Sequence, residues 1–240
     1  MPPYRFQAHP ADHRFFATMA VLTAATIAAG FASTYGPKLV TGTPVVPPVI
    51  HLHAAVFTIW LAVFVAQTLL VMTGRTALHR RIGPAGVAFA GLMLVVGLAA
   101  AITAGRAGHR GIPGLEFPDA EGFLLLNVAA ILIFSVLVAA GWFYRRDAQA
   151  HKRLMLTAMV GGLVGPGVSR LPFASGHTPV IAALVMAFLF AGPAYDLITR
   201  RRVHPAYIWG VMLALTTIPP VVEALSATAA WRGIAALMLR

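Results

Sequence analysis

Three short basic segments recur along the chain, and each places one histidine beside arginines just before an apolar run. They are GRTALHRRIG (74–83), RRDAQAHKRLM (145–155) and RRRVHPA (200–206). His79 and His151 hold matching positions two apolar runs apart, so we expect them at similar depth on neighbouring helices. Two neutral imidazoles that face each other from neighbouring helices can bind a haem iron axially. The pattern therefore predicts a haem b site with His79 and His151 as its ligands.

The arginines beside this histidine pair have two interpretations. Arg81 and Arg153 are placed to bind the haem propionates, because a guanidinium group suits a carboxylate. Histidine and arginine at the cytoplasmic end of a membrane helix are also ordinary determinants of topology and contacts for lipid headgroups. His204 is followed directly by Pro205, a residue favoured in a first helical turn. We expect His204 to begin a helix rather than to bind a ligand.

A second group of polar residues is expected at the opposite membrane face. His51 and His53 together can bind a divalent metal if the chain there is still extended, whereas in a regular helix residues two apart point to different faces. Arg170 and Glu223 lie deep in apolar runs, where an ionisable side chain is costly unless it is paired, so they are predicted to pair. With Asn127 they form either a ligand-binding site or an ion pair that only holds the helices together.

The composition indicates which elements must position these residues. Of the 240 residues, 59% are hydrophobic and 10% are charged, and the mean hydropathy is +0.80. Soluble domains carry roughly 25% charged residues, so the chain is predicted to be an all-α, multi-pass membrane domain with the lipid bilayer as its partner. Seven apolar runs are long enough to cross a hydrocarbon core of about 30 Å. They cover about 15–36, 51–73, 84–104, 122–144, 151–171, 179–198 and 205–225.

The basic residues predict the orientation of this seven-helix bundle. About two thirds of the 18 Lys and Arg residues lie in the three basic segments and in the N-terminal lead, which contains Arg5 and Arg14. The positive-inside rule then places the N-terminus in the cytoplasm of a bacterium, with the chain in its cytoplasmic (inner) membrane and the first run retained as a span. The formal net charge of +11 is explained by these turns, so no nucleic-acid surface is expected. The absence of cysteine excludes disulfides and thiol chemistry.

Several strings in the sequence resemble a family of uncharacterised bacterial multi-pass membrane proteins. The most distinctive are LHRRIG and HPAYIWG, and the likeness runs from about Ile50 to Trp231. It carries no activity. More distantly, the chain resembles cytochrome b561-type proteins, in which paired histidines on four central helices hold two haems. That resemblance implies at most one haem, on His79 and His151, because the fourth span offers Asn127 and no histidine for a second pair.

Three classes of function follow from these observations. The first is a haem-binding or redox-associated membrane protein. The second is a small-molecule or ion permease that uses the polar residues of the opposite face. The third is a non-catalytic accessory or assembly subunit whose basic segments contact lipid, a membrane-protein partner or a second copy of the chain. No hydrolase or transferase motif is present: the sequence has no P-loop, no GxGxxG and no nucleophile elbow.

Overall fold

The computed structural model describes residues 6–240, so Arg5 of the orientation argument lies outside the described residues. The described chain is all-helical apart from one hairpin of two short strands, β1 (Gly111–Ile112) and β2 (Leu115–Glu116). Five helices are long and apolar enough to cross a membrane, which supports a multi-pass membrane protein. They are α1 (Asp12–Thr34), α3 (Pro48–Met72), α4 (Thr76–Arg106), α5 (Ala120–Phe143) and α8 (Thr178–Arg200).

A sixth apolar segment is bent in the middle. It consists of α9 (Pro205–Leu215) and α10 (Pro219–Ser226), whose axes meet at 55°. Prolines at 219 and 220 have no amide hydrogen to continue the ladder of α9, so the chain restarts as a new helix. The pair Pro219-Pro220 inside the apolar run 205–225 predicts this break, and the structure shows it. Two further short helices are α2 (Gly36–Thr41) and α11 (Ala229–Leu239).

The segment at the centre of the bundle is also broken. It comprises α6 (Ala148–Gly162) and α7 (Val164–Val168), which are separated by Leu163. The carboxylate of Asp147 accepts hydrogen bonds from the backbone amides of Gln149 and Ala150, and this fixes where α6 begins. A kink was expected at Pro166, but the break comes three residues earlier. Pro166 lies in the first turn of α7, where its missing amide is not needed.

The segment GRTALHRRIG is helical from Thr76 onward, and only Gly74 and Arg75 lie in the turn before it. The third span was expected to begin at Pro84, but α4 begins at Thr76 and continues through Pro84. A proline inside a helix removes one backbone hydrogen bond and kinks the helix without necessarily ending it. His79 therefore lies in the first turn of α4, and its ring lies beside that of His151.

Side-chain contacts identify two opposite ends of the bundle. At face A, the beginnings of α1, α4, α6 and α9 meet the end of α8: Asp12 contacts Lys152 and Arg200, the rings of His79 and His151 are neighbours, and the backbone amide of His204 donates to Asp196. At face B, the end of α1 meets the beginning of α3 and the chain after α7. Face B also carries the β1–β2 hairpin: the amide of Gly176 donates to Pro113, and Thr178 donates to Gly114.

The interior between the faces is closely packed. Trp60 of α3 donates from its indole nitrogen to the sulfur of Met159 on α6 at 3.1 Å, and its ring meets the edge of Phe134 at 5.3 Å. Gly30 of α1 lies directly against Gly167 of α7, where a β-carbon on Gly30 would come within 2.0 Å of the Gly167 carbonyl oxygen. The helices are therefore fixed at short separation, and α1 is an integral part of the bundle.

Candidate functional site

The structure brings the predicted histidine pair together at face A. His79 on α4 and His151 on α6 have ring centres 6.1 Å apart, with their planes inclined by 73°. Both side chains are half-buried. The two rings approach each other because α4 and α6 begin at the same face, and both histidines occupy the first turn of their helix.

The hydrogen bonds of the two rings differ. Nδ1 of His151 lies 2.8 Å from the carbonyl oxygen of Gly141, to which it donates as an N–H group. A metal-binding histidine usually gives its other ring N–H to such a carbonyl, which leaves Nε2 with a lone pair for the metal. Nδ1 of His79 is buried without a hydrogen-bond partner among the described residues. The side-chain oxygen of Gln67, on the neighbouring α3, is buried and unpartnered as well.

Arg153 does not serve the histidine pair as the sequence suggested. Its side chain is fully buried and bound to Asp196 of α8, and its remaining Nη1 donates to the backbone and side-chain oxygens of Gln149. All three nitrogens of the guanidinium group are engaged, so a propionate has no access to it. Arg81 is exposed on α4 and stays available.

The sequence places three small residues, Gly86, Gly161 and Gly162, where they were expected to leave room for a flat macrocycle beside the histidines, but two of them are packed against neighbouring helices. A β-carbon on Gly161 would come within 2.8 Å of Ala214, and one on Gly162 within 2.8 Å of Phe134. These two glycines let α6 approach α9 and α5 closely. Of the expected small residues, Gly86 alone has open space, with Val63 at 3.8 Å from the β-carbon position.

A buried ion-pair network lies beside the histidine pair, and its two carboxylates were not singled out from the sequence. Arg153 contacts Asp196 at 2.5 Å, and Asp12 contacts Lys152 at 2.5 Å and Arg200 at 2.6 Å. Arg200 also lies 3.4 Å from Asp196, so the two halves are joined. The hydroxyl of Tyr195 donates to Asp12. The network connects α1, α6 and α8 at face A.

His204 begins α9, as the sequence predicted. Its Nδ1 accepts a hydrogen bond from the amide of Ala206, and its own amide donates to Asp196. Burial, and after it the positive charge of Arg153, lower the pKa of His204 below its ordinary value. His204 also lines an open cleft of about 750 Å³ between the beginnings of α6 and α9. The residue is therefore held neutral while in contact with solvent.

At face B, the two histidines of HLH point in different directions. Because α3 begins at Pro48, His51 and His53 are both helical and lie on different sides of the helix. His51 hydrogen-bonds to the hydroxyl of Tyr35, while the His53 ring packs on Phe57 with the centres 4.0 Å apart. The predicted two-histidine metal clamp required an extended chain and does not form. In the described part of the chain, no three His, Asp or Glu side chains are grouped as metal ligands.

The predicted pair of Arg170 and Glu223 does not form either. Arg170 donates from Nη1 to the carbonyl of Pro166 at 2.8 Å and lies over the ring of Phe31. Glu223 is exposed, and neither residue takes part in an ion pair within residues 6–240. The prediction counted depth along a straight helix, whereas the 55° bend before α10 redirects Glu223. Asn127 donates to the carbonyl of Phe123 within its own helix.

No protein-family model matches the chain, and comparisons with curated proteins and with solved structures find no match. The chemistry must therefore be judged from the side chains themselves. The histidine pair offers two imidazoles to one metal centre, and the charged groups of the ion-pair network beside it are bound to one another. The polar groups at face B are isolated from one another: neither the predicted metal site nor the predicted ion pair forms there.

Proposed function

We propose that the protein is a haem-binding membrane protein in which His79 and His151 are the two axial ligands. The observation that carries this proposal is the 6.1 Å separation of the ring centres. Two metal–nitrogen bonds of about 2 Å place facing nitrogens about 4 Å apart, and about 1 Å from each nitrogen to its ring centre gives roughly 6 Å. The Gly141 bond of His151 fits an imidazole whose other nitrogen is free for a metal. Nδ1 of His79 has no hydrogen-bond partner among the described residues.

The residues of this chain have separate roles in such a site. The carbonyl of Gly141 orients the His151 ring and selects its protonated nitrogen, while the helical positions of His79 and His151 set the distance between the ligands. Arg81 is the arginine that remains for a propionate. A bound haem supplies one-electron redox chemistry, whose potential depends on ligand identity and burial.

The proposed topology has seven crossings, with α6 and α7 forming the central one. Two contacts support this crossing. α6 begins at face A, where His151 meets His79, and α8 begins at face B, where Thr178 bonds to Gly114. These two positions favour a chain that passes from one face to the other between them. The span from 148 to 168 is about 30 Å long at about 1.5 Å per residue. The charges of Lys152 and Arg153 near its beginning are neutralised by the ion-pair network, so the span need not be apolar throughout.

The proposed orientation places face A in the cytoplasm of a bacterial cell, in the cytoplasmic membrane. The concentration of lysine and arginine at face A supports it. The LHRRIG and HPAYIWG strings are the basis for assigning the chain to a family of uncharacterised bacterial membrane proteins. A permease has less support, because the Arg170–Glu223 pair that motivated it is absent from the ion pairs of the described chain. An accessory role with a membrane-protein partner or a second copy is compatible with a haem site.

The test is an absorption spectrum of the protein purified from haem-supplied cells, before and after reduction with dithionite. The wild-type protein and a His13→Ala control, whose histidine is exposed at face A, should show the absorption band of a reduced b-type haem. His79→Ala and His151→Ala should each lose it while remaining folded and expressed. A wild-type protein without the band, or a band that persists in both variants, would exclude the proposed ligands.

A further inference from the structure

Arg170 carries a charge that no carboxylate in the described chain balances. Only Nη1 of its guanidinium group makes a hydrogen bond there, to the carbonyl of Pro166. The remaining contact of the group is with the face of Phe31, at 4.6 Å from the ring centre. A guanidinium group has five N–H donors, so most of them are left without a protein acceptor. Near a membrane such an arginine needs an anionic partner or water.

At face A, by contrast, the buried positive charges are balanced by carboxylates. Lys152, Arg153 and Arg200 each contact the carboxylate of Asp12 or Asp196. The chain therefore places carboxylates beside three cations in one region and leaves Arg170 without one at the opposite face. The acidic residue expected to serve it, Glu223, is exposed and makes no ion pair within residues 6–240.

His53 lies at the same face, in the first turns of α3. Its ring packs on Phe57, and its Nδ1 is buried without a hydrogen-bond partner among the described residues. A buried nitrogen has no exposed surface for a phosphate oxygen, so the donors for an anion at this face come from Arg170.

The surroundings hold the Arg170 side chain in position. Ser33 of α1 donates to the backbone carbonyl of Arg170 at 3.0 Å, and Phe31 of the same helix supports the guanidinium group. Tyr35, one turn further, is hydrogen-bonded to His51 on α3. The end of α1, the beginning of α3 and the segment after α7 are therefore joined around Arg170, which keeps its planar group oriented. A planar guanidinium group binds the paired oxygens of a phosphate better than an ammonium group does.

We propose that Arg170 binds one phosphate group at face B. Two sources have this chemistry, the headgroup of an anionic phospholipid and free phosphate from solution. The site lies where α1 ends and α3 begins at the membrane surface, which is the depth of lipid phosphates. This site is separate from the histidine pair at face A and does not depend on haem binding.

The experiment measures binding to the purified full chain in neutral detergent. One arm titrates phosphatidylglycerol against phosphatidylcholine and detects retained lipid by native mass spectrometry. The other arm adds inorganic phosphate and follows the midpoint of thermal unfolding. We expect Arg170→Gln to weaken binding of the phosphate-bearing probe about tenfold or more, because charge-assisted hydrogen bonds are lost. Arg106→Gln removes an exposed arginine at the same face and should leave binding within about twofold.

Arg170→Lys provides a second variant if the glutamine variant does not fold. It keeps the charge and loses the planar group, so we expect weaker binding than in the wild type with unchanged expression. A response to phosphatidylglycerol alone assigns the site to a lipid headgroup, and a response to phosphate assigns it to a soluble ligand. Equal binding by wild type, Arg170→Gln and Arg170→Lys, or equal losses in Arg170→Gln and Arg106→Gln, would overturn the proposal.

Discussion

Arg153 and Asp196 form a two-point ion pair inside the bundle. Nε of Arg153 donates to one carboxylate oxygen at 2.8 Å and Nη2 donates to the other at 2.5 Å, and neither side chain is exposed. The pair joins α6, the central helix, to α8. A buried ion pair of this kind contributes little net stability over an apolar pair, but removal of one partner leaves a charge buried without compensation.

Loss of either partner of this pair should destabilise the protein strongly. We expect Arg153→Leu or Asp196→Leu to lower the free energy of unfolding by about 3–5 kcal/mol. The loss should be measured as a lower midpoint of unfolding in detergent, followed by tryptophan fluorescence. Asp196→Leu should be at least as harmful as Arg153→Leu, because Asp196 also accepts from Arg200 and from the amide of His204.

Replacing both residues together shows whether Arg153 and Asp196 stabilise the protein as a pair or independently of each other. Arg153→Leu combined with Asp196→Leu removes both buried charges, so the stability of the double variant should exceed that of either single variant. A double variant whose loss equals the sum of the two single losses would show that the residues do not stabilise each other.

The contact between Gly30 and Gly167 predicts a second effect on stability. A methyl group at position 30 would lie 2.0 Å from the Gly167 carbonyl oxygen, so Gly30→Ala must separate α1 from α7. We expect a loss of about 1–3 kcal/mol, the usual cost of overpacking. Gly165→Ala is the matched control, because nothing lies within 4 Å of its β-carbon position. It should be neutral or stabilising by up to about 1 kcal/mol. Equal losses in both variants would contradict the role of the close approach.

The sequence predicted the helical elements better than the pairing of charges. Long apolar runs are a local property, so the membrane helices, the break at Pro219 and the approach of His79 and His151 follow from the sequence. The partner of a buried charge depends on helix rotation and neighbour order, which no local pattern contains. Asp196 could have been noticed as the one carboxylate in the run 179–198. Its partner, however, is Arg153, which lies on a different helix.

The error at Arg170 has a different physical origin. Arg170 and Glu223 were matched by depth along straight helices, but both segments are broken, one at Leu163 and the other between α9 and α10. A bend of 55° changes both the depth and the direction of the residues that follow it. Asp12 was missed because it was taken for part of a polar lead. In the structure it is the first residue of α1 and is buried.

His204 predicts a pH dependence of stability near neutrality. Burial and the charge of Arg153 lower its pKa in the folded protein, and protonation would also remove the acceptor for the Ala206 amide. Above the ordinary histidine pKa of about 6.5 the residue is neutral in both states, so its contribution is fully present. As the pH falls below about 6.5, the unfolded chain binds a proton that the folded protein does not, and stability decreases.

The measurement is the unfolding midpoint of wild type and His204→Asn between about pH 5 and pH 8. Asparagine can also begin a helix but does not titrate in this range. The wild-type midpoint should fall more steeply on acidification than that of the variant, since Asp147, Asp196, Lys152 and Arg153, the charged groups around His204, remain in both proteins. Parallel curves would show that His204 titrates normally in the folded protein.

The crossing by α6 and α7 can be tested directly, because the chain has no cysteine and single cysteines can be introduced without background. Arg146 precedes α6 at face A, and His177 precedes α8 at face B; both are exposed. If α6 and α7 cross the membrane, an impermeant maleimide added to intact cells should label His177→Cys and not Arg146→Cys. His109→Cys, in the exposed loop after α4, is the control for face B. Labelling of all three positions after cell lysis would show that Arg146→Cys is reactive. Equal labelling of Arg146→Cys and His177→Cys in intact cells would mean that α6 and α7 enter and leave the membrane on the same side. The end of α5 and the beginning of α8 would then lie on one side of the membrane rather than on opposite sides.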